Sequence, residues 1–191
     1  MKKSIFVFIF FAISVSLLQG QQKFEKESRI NEREVPQPAL DFISEIGFTK
    51  KVKWFKEQSL TGTTVEAKTK FNDSKYSLEF NLDGEVEDVE YIVGWAYIPT
   101  ATQTKISDFL NSAHQKTKIV KIQAQYTGND EALIQKVKKM DSKPGIIVKY
   151  EMEIKAKTNG KYEMIEYLFS ENGDMEEKSI IIFKNTDNLE H

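Results

Sequence analysis

The chain has 191 residues, 40% of them hydrophobic, with 27 basic residues against 29 acidic ones and a net charge of −2. So even a balance excludes the basic footprint of a nucleic-acid binder, and the absence of cysteine leaves a hydrophobic core, rather than disulfides, to hold the fold. The only histidines are His114 and His191, which removes a histidine-based triad and a two-histidine metal site.

Residues 1–20, MKKSIFVFIFFAISVSLLQG, place Lys2 and Lys3 before an apolar run and finish on Gly20, the pattern of a secretory signal peptide. The rival is an anchoring helix, but the uninterrupted apolar core at 5–13 is shorter than the roughly 20 residues that spanning requires. No cysteine follows Gly20, so a lipoprotein attachment site is missing. Cleavage would leave an exported, periplasmic or extracellular chain of 171 residues without a membrane span, its net charge moved to −4 by the loss of two lysines. Residues 21–34 carry only Phe24 and Ile30 as apolar side chains, the composition of a flexible charged tether.

After Val35-Pro36, the run ALDFISEIGF sets Leu40, Ile43 and Ile46 on one stripe, predicting a short helix that ends near Gly47. KVKWFKEQ then places Val52 and Trp54 on one face of a strand, Thr61-Gly62 supplies a turn, and TTVEAKTKF alternates apolar with charged residues. Residues 75–93, KYSLEFNLDGEVEDVEYIV, read as a hairpin turning at Asp83-Gly84, with Tyr76, Leu78 and Phe80 on one face. Residues 35–94 thus make one helix and four antiparallel strands.

The order then restarts. Residues 95–104 form a linker holding Trp95 and Tyr97, and 105–184 repeat the unit. Asp108-Phe109-Leu110 repeats Asp41-Phe42-Ile43 at an offset of 67, while Ala156-Lys157-Thr158 repeats Ala67-Lys68-Thr69, and Phe169 with Asn172-Gly173 repeats Phe80 with Asp83-Gly84, both at 89. Two constant offsets separated by a jump of 22 are what a tandem duplication with one insertion gives. The insertion falls at about 130–141, where Leu133, Val137 and Met140 form a helical stripe behind a cap at Asn129 or Asp130. In KYEMIEYLF, Tyr162 and Met164 share one parity and Ile165, Tyr167 and Phe169 the other, which predicts a bulge. Residues 185–191 form a tail.

No thiol, Gly-rich phosphate loop or calcium loop is present, and the acidic turns lack the alternating oxygens that calcium needs. No catalytic residue, metal or cofactor is therefore expected, and the chain is read as not an enzyme. Asn72-Asp73-Ser74 matches a glycosylation acceptor but is explained by a hairpin turn, and His114 is expected to face solvent from the second helix. With helices covering one face of the sheet, the other carries Glu66, Lys68, Glu79, Lys149, Glu151 and Glu153, either as a solvated surface or as a docking surface. Trp95 and Tyr97 either pack between the repeats or anchor a partner. The candidate partner-binding set is Trp95, Tyr97, Lys149, Glu151, Glu153 and Tyr167.

Val35-Pro36 before a helix, Val52 and Trp54 in a strand, Tyr76 and Phe80 in the next hairpin, Asp83-Gly84 at its turn and a second copy together resemble the PepSY-like proteins of Bacteroidetes-type bacteria, whose fold is similar to that of the β-lactamase-inhibitor protein. The likeness covers about 35–183. In the second copy Val120 or Lys121 stands where the tryptophan would be, Asn172 replaces the aspartate, and the inserted helix has no counterpart. The resemblance implies an α+β fold, a tandem repeat of a short helix packed on antiparallel β-strands with the helices on one face. It also implies a secreted or periplasmic protein-binding module, related to domains proposed to restrain peptidases or other hydrolases, with an extracytoplasmic protein as partner. The alternative is a small-ligand carrier or envelope stress factor with a cavity between helix and sheet.

Overall fold

The computed structural model describes residues 21–23, 25–139 and 144–182. The expected signal peptide and the tail at 185–191 lie outside the described residues. The class is α+β, with strands β1 (Gln21–Lys23), β2 (Lys26–Ile30), β3 (Lys53–Gln58), β4 (Thr63–Phe71), β5 (Ser74–Phe80), β6 (Val86–Ile92), β7 (Lys116–Thr127), β8 (Ile147–Thr158), β9 (Lys161–Ser170) and β10 (Met175–Ile181). The helices are α1 (Gln37–Ile46), α2 (Thr100–Ala113) and α3 (Asp130–Lys139).

Nine strands, β2 to β10, follow one another in sequence order as an antiparallel sheet, joined by short turns except where α1, α2 and α3 connect β2 to β3, β6 to β7 and β7 to β8. Asn72 and Asp73, with φ of 47° and 62°, and Asn159 and Gly160, with φ of 50° and 81°, take the left-handed pair that a two-residue hairpin requires. The alternation of side chains then sorts the sheet into two faces. One holds the row Trp54, Ala67, Leu78, Val89 and Tyr126, and beside it Tyr76, Tyr91, Ala124, Tyr150 and Phe169. These residues are buried and belong to the hydrophobic core. The opposite parity holds Glu66, Glu79 and Asp88 in one row and Ser77, Glu90, Gln125 and Lys149 in the next.

Each helix seals apolar surface with its own stripe. In α1, Ala39, Phe42, Ile43 and Ile46 are buried, and Gly47, at φ 75°, ends the helix in the left-handed cap expected of it. Phe42 meets Phe80 edge to face at 5.7 Å and 79°, and Phe109 of α2 meets Phe169 at the same 5.7 Å and 79°. The entries to these helices also match. A single 3₁₀ turn (Glu32–Glu34, Trp95–Tyr97) leads to a buried Val35 or Ile98, then to Pro36 or Pro99 at the helix cap. At the far turns, the Gly84 N–H donates to the Asn81 carbonyl at 3.0 Å and the Gly173 N–H to the Ser170 carbonyl at 2.9 Å. Both glycines have left-handed φ and no room for a side chain, Gly84 against Pro36 and Gly173 against Thr102. In α3 the Asn129 side chain accepts the Ala132 N–H at 2.9 Å, the cap expected there, and Lys136 lies over the Tyr126 ring.

Three expectations need correction. The expected linker at 95–104 is a 3₁₀ turn followed directly by α2, whose polar first turn hid its start at Thr100. No bulge interrupts the β8–β9 ladder; Tyr162 simply stands exposed on the polar parity, near Lys155 and Lys157, and the register shift lies in β10 between Met175 and Glu177. Most consequentially, 21–34 is not a tether. β1 pairs parallel with β10 and β2 antiparallel with β3, at opposite ends of the sheet order. Only two residues separate Lys23 from Lys26, so the ends of β1 and β2 lie within roughly 11 Å, three residues of extended chain. The sheet must therefore curl until one short segment reaches both edges, satisfying backbone groups that charged composition alone says nothing about.

Candidate functional site

Curling places the polar parity on the inside of the sheet, and the β1–β2 strap runs across it. Lys23 of the strap reaches Glu166 Oε1 and Glu25 Oε1 at 2.8 Å and Glu151 Oε2 at 3.8 Å. On the other side Lys68 Nζ meets Glu27 Oε1 of the strap at 2.5 Å and Glu66 Oε2 at 2.9 Å. The Ser77 hydroxyl donates to Glu66 Oε1. Gln123 Nε2 donates to Glu90 Oε2 at 2.5 Å, and Gln125 Nε2 reaches Glu90 Oε1 and Asp88 Oδ2, both at 3.2 Å. Lys121 pairs with Glu153 at 2.5 Å. The strap flanks two cavities, of about 520 and 880 Å³, whose shared wall includes Lys23, Glu25, Glu57, Glu79, Glu90 and Glu151.

Acid outweighs base in this trough, and its electrostatics follow from that. Burial, reinforced by Glu25, Glu79 and Glu66, raises the Glu57 carboxyl to about 8. Glu79 is raised to about 7 by burial and then by Glu66, and Glu166 to about 7 by burial and Glu151 against the pull of Lys23. Asp88 and Glu90 lie well above the ordinary carboxylate range, by burial first and neighbouring acids second. For Lys23, burial lowers the value, but Glu151 and Glu166 more than offset it and the net shift is upward. Glu57 is 8% exposed, yet neither it nor Glu79 has a side-chain hydrogen bond or ion pair among the described residues, and Asp88 Oδ1 is buried without a partner there.

Carboxylate oxygens of Glu27, Glu57 and Glu66 lie within 4.8 Å of one another, close enough to share a metal ion. Lys68 already holds two of the three, so a metal would have to displace an ammonium group. The expectation for His114 is overturned. It is 8% exposed, with Nδ1 2.7 Å from Thr158 Oγ1 and Nε2 2.8 Å from the Tyr167 hydroxyl, because α2 ends there and turns its last residue inward. Burial lowers its pKa, and both ring nitrogens are committed to packing.

The six predicted site residues do not converge. Lys149, Glu151 and Glu153 share the polar parity, but as parts of an enclosed network rather than a solvated face: Lys149 pairs with Glu176 at 2.7 Å, and Glu151 is raised by burial. Tyr167 is 1% exposed beneath α2, against Phe109 and His114, and is unavailable as an anchor. Its parity with Ile165 and Phe169 was legible; reading it as an anchor ignored that parity. Tyr97 packs at the junction of the two halves, its hydroxyl 2.5 Å from that of Tyr91 and 2.6 Å from that of Tyr126, while Trp95 is half-buried against the core. Sequence reasoning missed Lys23, Glu57, Asp88 and Glu166. The Gln123 and Gln125 alternation in IQAQY was the available signal for a polar interior face.

Among the described residues no helix is long and apolar enough to cross a membrane. Comparison with protein-family models, with curated proteins and with solved structures finds no match to this chain.

Proposed function

We propose that the chain is a non-enzymatic binding module, PepSY-like and similar in fold to the β-lactamase-inhibitor protein, that is exported and works in the periplasm or outside the cell. Its tandem repeat carries helices on one sheet face; the matched Phe42–Phe80 and Phe109–Phe169 contacts and the matched glycine turns support this duplication. The observation that carries the functional reading is the acid-lined trough under the strap, with Glu57 buried and Glu79 half-buried, both without side-chain partners among the described residues. A carboxylate kept in that state costs stability, and such a cost persists where a site is set up for a ligand.

Of the two occupants, a carried small ligand fits better than an inhibited hydrolase, because the strap lies across the surface a docking protein would need. The protein-binding reading rests on the family resemblance and on Lys149, Glu151 and Glu153 in the trough wall. Native mass spectrometry of protein purified from the envelope separates them. A small-molecule adduct lost on Glu79→Gln supports the carrier. A co-purifying protein lost on Glu151→Lys, with no adduct in either sample, supports the inhibitor-like module instead.

A further inference from the structure

The larger cavity is lined by nine carboxylates against two lysines, Lys23 and Lys149. Its carboxylates are spread along the trough on β3, β5, β6, β8, β9 and β10 and between β1 and β2 rather than converging on a point. A single metal ion needs several oxygens within one coordination sphere. The one converged trio among the described residues, Glu27, Glu57 and Glu66, has two of its carboxylates, Glu27 and Glu66, held by the Lys68 ammonium. Three primary ammonium groups on aliphatic stems, those of Lys23, Lys68 and Lys121, are already seated against carboxylates of this trough. They show which chemistry the walls accept. Among the described residues, the buried Glu57 and the half-buried Glu79 line this cavity without a side-chain partner, and Asp88 lines it with Oδ1 unpaired. Leu60 and Leu168 add apolar wall where methylene groups would lie.

We infer that the 880 Å³ cavity binds a linear aliphatic polyamine, its ammonium groups taken by Glu57, Glu79 and Asp88 and its methylenes by Leu60 and Leu168. The inference rests on the binding-module reading above and names the ligand class. Burial first and neighbouring acids second raise the carboxyls of Glu57, Glu79 and Asp88 above the ordinary carboxylate range, so an entering polycation displaces protons from them. Binding therefore releases protons and tightens as pH rises.

Titration calorimetry of the chain from residue 21 onward tests this with spermidine, putrescine and calcium chloride as probes, in about 150 mM salt to screen nonspecific attraction. Spermidine is expected to saturate one site per chain, more tightly than putrescine, with affinity rising from about pH 6 to about pH 8.5. Glu79→Gln and Asp88→Asn, nearly isosteric changes, should each weaken it at least about tenfold, and Glu45→Gln on the exposed side of α1 should not. A melting curve for each variant confirms that it folds. The inference is overturned by the absence of saturable spermidine binding, by binding indifferent to the trough variants, or by calcium saturating the site that spermidine fails to enter. If spermidine fails while an envelope-purified sample carries a different adduct sensitive to Glu79→Gln, the carrier reading stands and only the ligand class falls. If no adduct appears either, both fall.

Discussion

The two faces of the sheet are made by the same strands from alternating residues, yet they are built on opposite principles. The apolar face is sealed by rings, with Phe80 touching Phe42 and Trp54, and Phe169 touching Phe109 and Tyr167. The trough is sealed by geometry: the sheet curls, the strap crosses, and charged groups are enclosed before all of them have found partners. Aromatic packing is satisfied within the chain. The trough is not, and the difference separates what holds the fold from what is available to a ligand.

Truncation at the sealed face should give the largest effect. Phe80→Ala removes a fully buried ring and is expected to cost about 3–5 kcal/mol, and Phe169→Ala, its counterpart, should cost the same within about 1 kcal/mol. At about 2–4 °C per kcal/mol for a chain of this size, thermal melting resolves both. Clearly unequal losses would count against the proposed duplication.

The trough should show itself through pH. Glu57 and Glu79 have folded values of about 8 and about 7, above the ordinary 4.5, so the folded state binds protons that the unfolded chain has already released. Their contribution to stability is greatest at the acid end of that interval and is lost as pH rises from about 4.5 to about 8. Melting temperature should fall across it, by the equivalent of a few kcal/mol once the full linkage of about 1.4 kcal/mol per pH unit is discounted for partial exposure, and Glu57→Gln with Glu79→Gln should flatten the slope. A melting temperature that climbs through the same window would mean the two carboxylates are ionised in the folded chain.

The smallest contrast sets one ion pair against another. Lys23→Ala strips Glu166 and Glu151 of their cation inside the trough and should cost about 1–2 kcal/mol, partial exposure of Lys23 screening the rest. Lys105→Ala breaks a 2.6 Å pair with Asp174 at the surface and should cost less than about 0.5 kcal/mol. Equal losses on urea denaturation would show the trough to be as wet as the outside.

Much of the sealed face was legible in the sequence. Period-two alternation put Tyr76, Leu78 and Phe80 on one face, the residues at 83–84 and 172–173 marked turns, and Gly47 marked a helix end. Alternation also collected Glu66, Glu79, Glu151 and Glu153 on the other face. It said nothing about curvature, so an enclosed trough read as a solvated surface. Residues 21–34 looked unfoldable because their partners are charges on distant strands rather than apolar neighbours: Lys23 meets Glu166 across 143 positions. His114 was misread for a related reason, since nothing in its helix announces that Thr158 and Tyr167 await it.

The strap also orders events in time. Every ladder from β3 to β10 joins strands adjacent in the chain, so the sheet can grow hairpin by hairpin as the polypeptide lengthens. β1 has to wait for β10, which lies far downstream of it in the chain. Until β10 exists, the outer rim of the growing sheet offers unpaired N–H and C=O groups to any other extended chain, the usual template for aggregation. A molecule cut short before residue 175 could fold its first half, yet would never fasten its beginning to its end.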